Sequence, residues 1–218
     1  MTLMCDENIN LEEYRSSMLA ALSTDPADTE AMAELMCADC LICEDNIKDL
    51  GPSWRNTPFV EEILRYAPRV AESGQTTLVA NVCERVADTL SYHPRLTLRL
   101  MRQQRMALAM EALPGNDDLH VLDKRIDLYE RNIEAAGRAD FGSIEPEGRL
   151  KSDPVEWTER FEQVIDEAEA KVWSRIDADM RGLGFCHLMW HELQHVLACD
   201  YGIEWRSPAR MNPRVMFD

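Results

Sequence analysis

Apolar residues recur three and four positions apart along almost the whole chain, and no stretch alternates apolar with polar for long enough to make a strand. The clearest run is Leu119, Leu122, Ile126, Tyr129 and Ile133. At about 3.6 residues per turn these side chains share one helix face. A chain made only of such stripes must bury helix against helix. The spacing therefore predicts an all-α protein, an antiparallel helical-hairpin array or bundle of about eight helices with an extended C-terminal tail.

Punctuation residues place the elements. Leu11, Tyr14, Met18 and Leu22 mark a first helix that Asp25-Pro26 stops. Thr29 can cap a second, running to Leu50 before Gly51-Pro52. Thr57-Pro58 opens a shorter helix through Tyr66. Leu78, Val82, Val86 and Leu90 form the next stripe, and His93-Pro94 punctuates it. Leu98, Met101, Met106, Leu108 and Leu113 precede the turn at Pro114-Gly115-Asn116.

The rhythm breaks from Gly137 to Asp153, where glycines, a proline and scattered charges read as a linker or long loop. It divides a helical-hairpin domain at residues 1–136 from a C-terminal helical pair plus tail at 154–218, expected to pack on the first part. Asp153-Pro154 with Glu156 carries a capping-box-like signature. It opens a helix whose buried face is Trp157, Phe161, Val164, Ile165, Ala168, Val172 and Ile176. After Gly202 the prolines predict a non-helical tail, anchored on the body by Trp205 and Phe217, with Arg206, Arg210 and Arg214 pairing to acidic helices.

Charge limits the partners. With 23 basic against 40 acidic side chains the formal charge is −17. Such a surface repels phosphate backbones and anionic lipid heads, so neither nucleic acid nor a membrane is expected, while a basic protein or a metal ion suits it. The first residues lack the basic and apolar runs of a secretory leader, and no window approaches the ~20 apolar residues of a membrane span. Seven cysteines lie mostly at helical positions among apolar neighbours, which predicts reduced thiols and a cytoplasmic protein. Cys37, Cys40 and Cys43 have the spacing of cluster ligands, but their neighbours are helix-compatible, so they read as an apolar seam.

One segment has spacing that suggests a specific chemistry. Cys186 to Val196 holds three of the five histidines, and His191, Glu192 and His195 spell H-E-x-x-H. Positions i and i+4 share a helix face, so two imidazoles can meet one cation, with Glu192 beside it. The segment from Leu188 to Leu197 resembles the active-site helix of the zincin metallopeptidases. That resemblance implies zinc on His191 and His195 and Glu192 as general base. The third ligand stays open. His187 can pair with His191 instead, but at a rise of about 1.5 Å per residue it lies ~12 Å from His195. His93, His120, Glu204, Asp200 or an acid of the Trp157 helix are the other candidates.

Two functions follow as expectations. The composition favours an acidic, cytoplasmic helical module that binds a protein partner, with no catalysis established by the residues. The resemblance implies the alternative, a zinc-dependent metallopeptidase.

Overall fold

The computed structural model describes residues 10–48, 51–110, 117–177, 182 and 184–217. Among the described residues helices make up 75% of the structure, no strand occurs and eight helices have seven or more residues, so the protein is all-α. No helix among the described residues is long and apolar enough to cross a membrane. The chain divides into two compact units, one of residues 1–91 with 96–126, the other of residues 92–95 with 127–218.

The first unit is arranged around α2 (Thr29–Asn46), which α1 (Leu11–Thr24), α3 (Thr57–Glu72) and α4 (Thr76–Ala87) contact. Met32, Leu35 and Met36 of α2 are fully buried against Val60, Ile63, Val79 and Val86. Cys40, Cys43 and Cys83 belong to the same core. Burial pushes the Cys40 and Cys83 thiols up to about 12. They are inert apolar packing.

Two polar devices fix this unit. Asn56, fully buried, donates to the carbonyls of Cys43 at 3.0 Å and Thr89 at 3.4 Å and accepts from Asn46 at 2.9 Å. Arg15 reaches from α1 to Asp39 at 2.6 Å and to Glu62, its guanidinium 5.0 Å from the centre of the Phe59 ring. Burial lifts the Asp39 carboxyl to about 7 although Arg15 pulls it down.

Local chemistry moves several expected boundaries. Asp28, not Thr29, caps α2, accepting from the backbone N–H groups of Glu30 and Ala31. The second helix ends at Asn46; Leu50 lies outside the described residues. α3 continues past Tyr66 to Glu72 with Pro68 inside it. Pro68 is exposed while Ala67, Val70 and Ala71 are buried, so packing of the opposite face offsets the proline.

α5 (Pro94–Met110) and α6 (Asp117–Gly137) follow, and the division between units cuts both, between Arg95 and Leu96 and between Ile126 and Asp127. In the second unit Asn132 holds the loop after α6 through paired bonds with the backbone of Glu145, at 2.8 and 2.9 Å. The helix expected from Asp153 to Ile176 is three pieces: a 3-10 turn at Pro154–Trp157, α7 (Glu159–Glu162) and α8 (Ile165–Arg175). The first break is at Thr158, whose backbone is extended and whose hydroxyl caps α7, and the second is the turn at Gln163 and Val164. The Thr158 N–H and hydroxyl both donate to the Val155 carbonyl, at 3.0 and 2.7 Å. The capping box of Asp153 and Glu156 forms as expected. The tail is free of helix from Gly202 to Ser207, then makes a four-residue helix, α10 (Pro208–Met211), against the non-helical expectation. Ser207 caps it and Pro208 takes its first position, where a missing N–H costs nothing.

Candidate functional site

The histidine segment is helix α9 (Phe185–Tyr201), bounded by Gly184 at φ 80° and Gly202 at φ 63°. Both glycines hold left-handed backbone that a side chain would strain. Leu193 and Leu197 are fully buried and Val196 nearly so, packed with Phe161, Ile165, Ala168 and Val172. Phe185 at its start is buried in the same core, and Leu188, Met189 and Trp190 pack partly against it. His187, His191 and His195 are all exposed, with 79% of the His191 side chain accessible.

The arm after Gly202 is fastened alongside α9. The Ile203 N–H donates to the Leu197 carbonyl at 2.9 Å, and the Gln194 amide donates to the Trp205 carbonyl at 2.7 Å. The Trp205 indole donates to Glu156 at 2.7 Å. The buried carboxylate of Asp153 accepts from Arg206 through backbone and guanidinium, at 2.8 and 2.9 Å, and from the Val155 N–H. Arg206 is therefore spent on the fold, an intramolecular pairing of the kind its place in an acidic chain suggests. At the far end, His187 donates to the Phe217 carbonyl at 3.1 Å and Trp190 stacks edge-on to the Phe217 ring. The anchoring aromatics expected of the tail are both in place.

Between α9, the arm and residues 153–155 lies an open cleft of about 680 Å³. His191 and His195 of α9 line it together with Glu204, Trp205 and Arg210 from the chain that follows. Glu204 and Arg210 make no side-chain hydrogen bond or ion pair among the described residues, so both signs of charge face the opening unspent. Such a volume lies within the range of ligand sites, ~300–1,000 Å³.

Buried acids lie in the same unit. Glu156 keeps some exposure as a residue, but its carboxyl is enclosed and lifted to about 7 by burial, against the pull of Trp205 and the Asp153 N–H. Glu169 is 2% exposed, has one carboxylate oxygen without a hydrogen bond, and rises to about 8 through burial and the charge of Asp166. Tyr92 lies well above the ordinary phenol range for the same first reason, near Glu156 and Glu169.

The structure brings only part of the expected metal set together. His191, His195 and Glu204 line one cleft, whereas Glu192 does not line it and sits 3.6 Å from His191 Nδ1. Asp200 pairs with Lys171 at 3.2 Å. His93 is buried with Nε2 2.7 Å from Asp166, and His120 belongs to the first unit. No three His, Cys, Asp or Glu residues among those described gather as metal ligands. Among the described residues the two imidazoles have no third protein ligand, an arrangement that does not fit a catalytic zinc centre.

Sequence reading missed the roles of Gln194, Asp153 and Arg210 at the cleft. Their signal was faint: arginines concentrated in an acidic chain's tail, and a capping aspartate with an oxygen to spare. No family model, curated protein or solved structure matches the chain.

Proposed function

We propose that this protein is an interaction module whose second unit receives a short polar segment of a partner polypeptide in the cleft beside α9. The carrying observation is the unspent pair of Glu204 and Arg210 facing two exposed imidazoles in an opening of about 680 Å³. A segment bearing both signs of charge, or backbone amides and carbonyls, complements such walls, and Trp205 and Phe141 add apolar surface to them. The neighbouring polar groups are already bonded, which presents the free ones in fixed positions. Free cysteines suit a reduced, cytoplasmic compartment. A random peptide library displayed against the full chain tests this reading. Selected peptides should lose binding to Arg210→Ala and to His195→Ala but not to Val121→Ser, an exposed site in the first unit. Peptides insensitive to the cleft substitutions would refute it.

A second reading, the zinc-dependent metallopeptidase, draws on Glu204 lining the cleft with His191 and His195, although no three such side chains gather as ligands among the described residues. It requires Glu192 as base, and Glu192→Gln separates the two readings. Peptide cleavage lost in that variant supports the peptidase, whereas peptide binding without cleavage in the unaltered chain supports the module.

A further inference from the structure

His187, His191 and His195, all exposed, recur every four residues along α9. The first of them already holds a main-chain carbonyl. His187 Nε2 lies 3.1 Å from the Phe217 carbonyl oxygen, and Trp190 packs edge-on to the Phe217 ring with centroids 5.3 Å apart. The other two histidines line the cleft with Glu204 and Arg210. We propose that the segment this cleft receives is the free C-terminal end of an extended partner chain. Its main-chain carbonyls accept from His191 and His195, its terminal carboxylate pairs with Arg210, and a lysine or arginine before the end pairs with Glu204. The inference rests on the peptide-binding reading and narrows it to one kind of segment.

The spacing of the imidazoles carries the first part. Four helical residues at a rise of about 1.5 Å advance about 6 Å and return to the same face. Alternate residues of an extended chain advance about 6.6 Å, and their carbonyls point the same way. Two ring N–H donors one turn apart on α9 therefore meet carbonyls two residues apart on such a chain. Both rings are available for this. His191 has Nδ1 3.6 Å from Glu192, which leaves Nε2 to donate, and His195 has the weak sulfur contact of Cys199 at 3.6 Å. Val196 and Leu197, which follow His195, are buried, so packing fixes the backbone that carries it.

Charge carries the second part. Arg210 makes no ion pair among the described residues, although the chain holds 40 acidic side chains for 23 basic ones. Its neighbour in the cleft, Arg206, is committed to Asp153 at 2.9 Å. A guanidinium left unpaired in an opening is matched by a carboxylate, which its planar fork binds through two parallel bonds. A chain end supplies that carboxylate in line with the carbonyls that the imidazoles hold, whereas an aspartate or glutamate carries it away from the backbone on a side-chain stem. Glu204, equally unpaired, is matched by a basic side chain, and a surface of charge −17 draws a basic segment toward it.

Random peptides carrying one lysine, synthesised as free acids and as C-terminal amides, probe the full chain. Those captured are identified by mass spectrometry, and their Kd is read by fluorescence anisotropy. The acid should bind at least about tenfold tighter than the amide of the same sequence, the loss expected for one charge-assisted bond. Arg210→Gln should erase that difference, and Glu204→Gln should erase the preference for lysine over norleucine. His191→Ala and His195→Ala should weaken acid and amide alike, because the carbonyls they meet are common to both. Acid and amide bound equally by the parent chain, or a difference that survives Arg210→Gln, overturns the C-terminal assignment and leaves the peptide-binding reading standing. Capture of neither form overturns both. All four side chains are at least partly accessible, and unchanged far-ultraviolet circular dichroism of the variants verifies the fold.

Discussion

The indole of Trp205 donates to the enclosed carboxylate of Glu156 at 2.7 Å, tying the C-terminal arm to the turn that opens the second unit's core. Trp205 itself is 2% exposed. Replacing it with phenylalanine keeps an apolar ring but leaves that acceptor only the longer bond from the Asp153 N–H, at 3.3 Å. Trp205→Phe should lower stability by about 1–3 kcal/mol in urea unfolding. A change below a few tenths would mean that the arm does not depend on this bond.

The buried acids set a pH dependence with a definite sign. Asp39 and Glu156 rise to about 7 and Glu169 to about 8, from ordinary values of 3.8 and 4.5. A raised acid favours the folded state while protonated, so its contribution is complete below the ordinary value and disappears as pH climbs through 7 to 8. Calorimetric Tm should therefore fall between about pH 5 and pH 9. Glu169→Gln, which removes a buried charge with an unbonded oxygen, should make that fall shallower. An equally steep fall in the variant would show that Glu169 does not contribute.

Two neighbours on α9 should respond in opposite ways. Leu193 is fully buried, and Leu193→Ala should cost about 2–5 kcal/mol through lost burial and a cavity. His191 is exposed, and His191→Ala should stay within about 0.5 kcal/mol of the parent. Denaturant midpoints check both. A large loss at His191 would mean that its ring carries structure that exposure does not reveal.

In the first unit Asn56 bridges three segments while fully buried. Asn56→Ala strands the Asn46 amide and two carbonyls, and should cost roughly 2–4 kcal/mol. Hydrogen exchange should show faster opening near Cys43 and Thr89, and unchanged protection at both would contradict the bridge.

How much of this was legible depended on how local the cause is. The helix class and the capping box at Asp153 and Glu156 were readable because periodicity and caps act within a few residues. The break at Thr158 was not, because a threonine inside an apolar stripe reads as helix until its hydroxyl is seen on Val155. The extension of α3 past Tyr66 was not readable for the opposite reason, since burial of the other face of α3 outweighs Pro68 inside it. At the site, the shared face of His191 and His195 follows from spacing alone. The pairing of Asp153 with Arg206, 53 residues apart, and the cleft they border depend on contacts that no local pattern encodes.

The central claim is that the cleft beside α9 binds a polypeptide segment. Hydrogen exchange of the full chain, with and without a library-selected peptide, tests it most directly. The account predicts new protection on residues 191–198 and 204–210, unchanged exchange in α2, and an intact peptide recovered at the end. Protection confined to the first unit, or a peptide returned in pieces by the unaltered chain but not by Glu192→Gln, would contradict it.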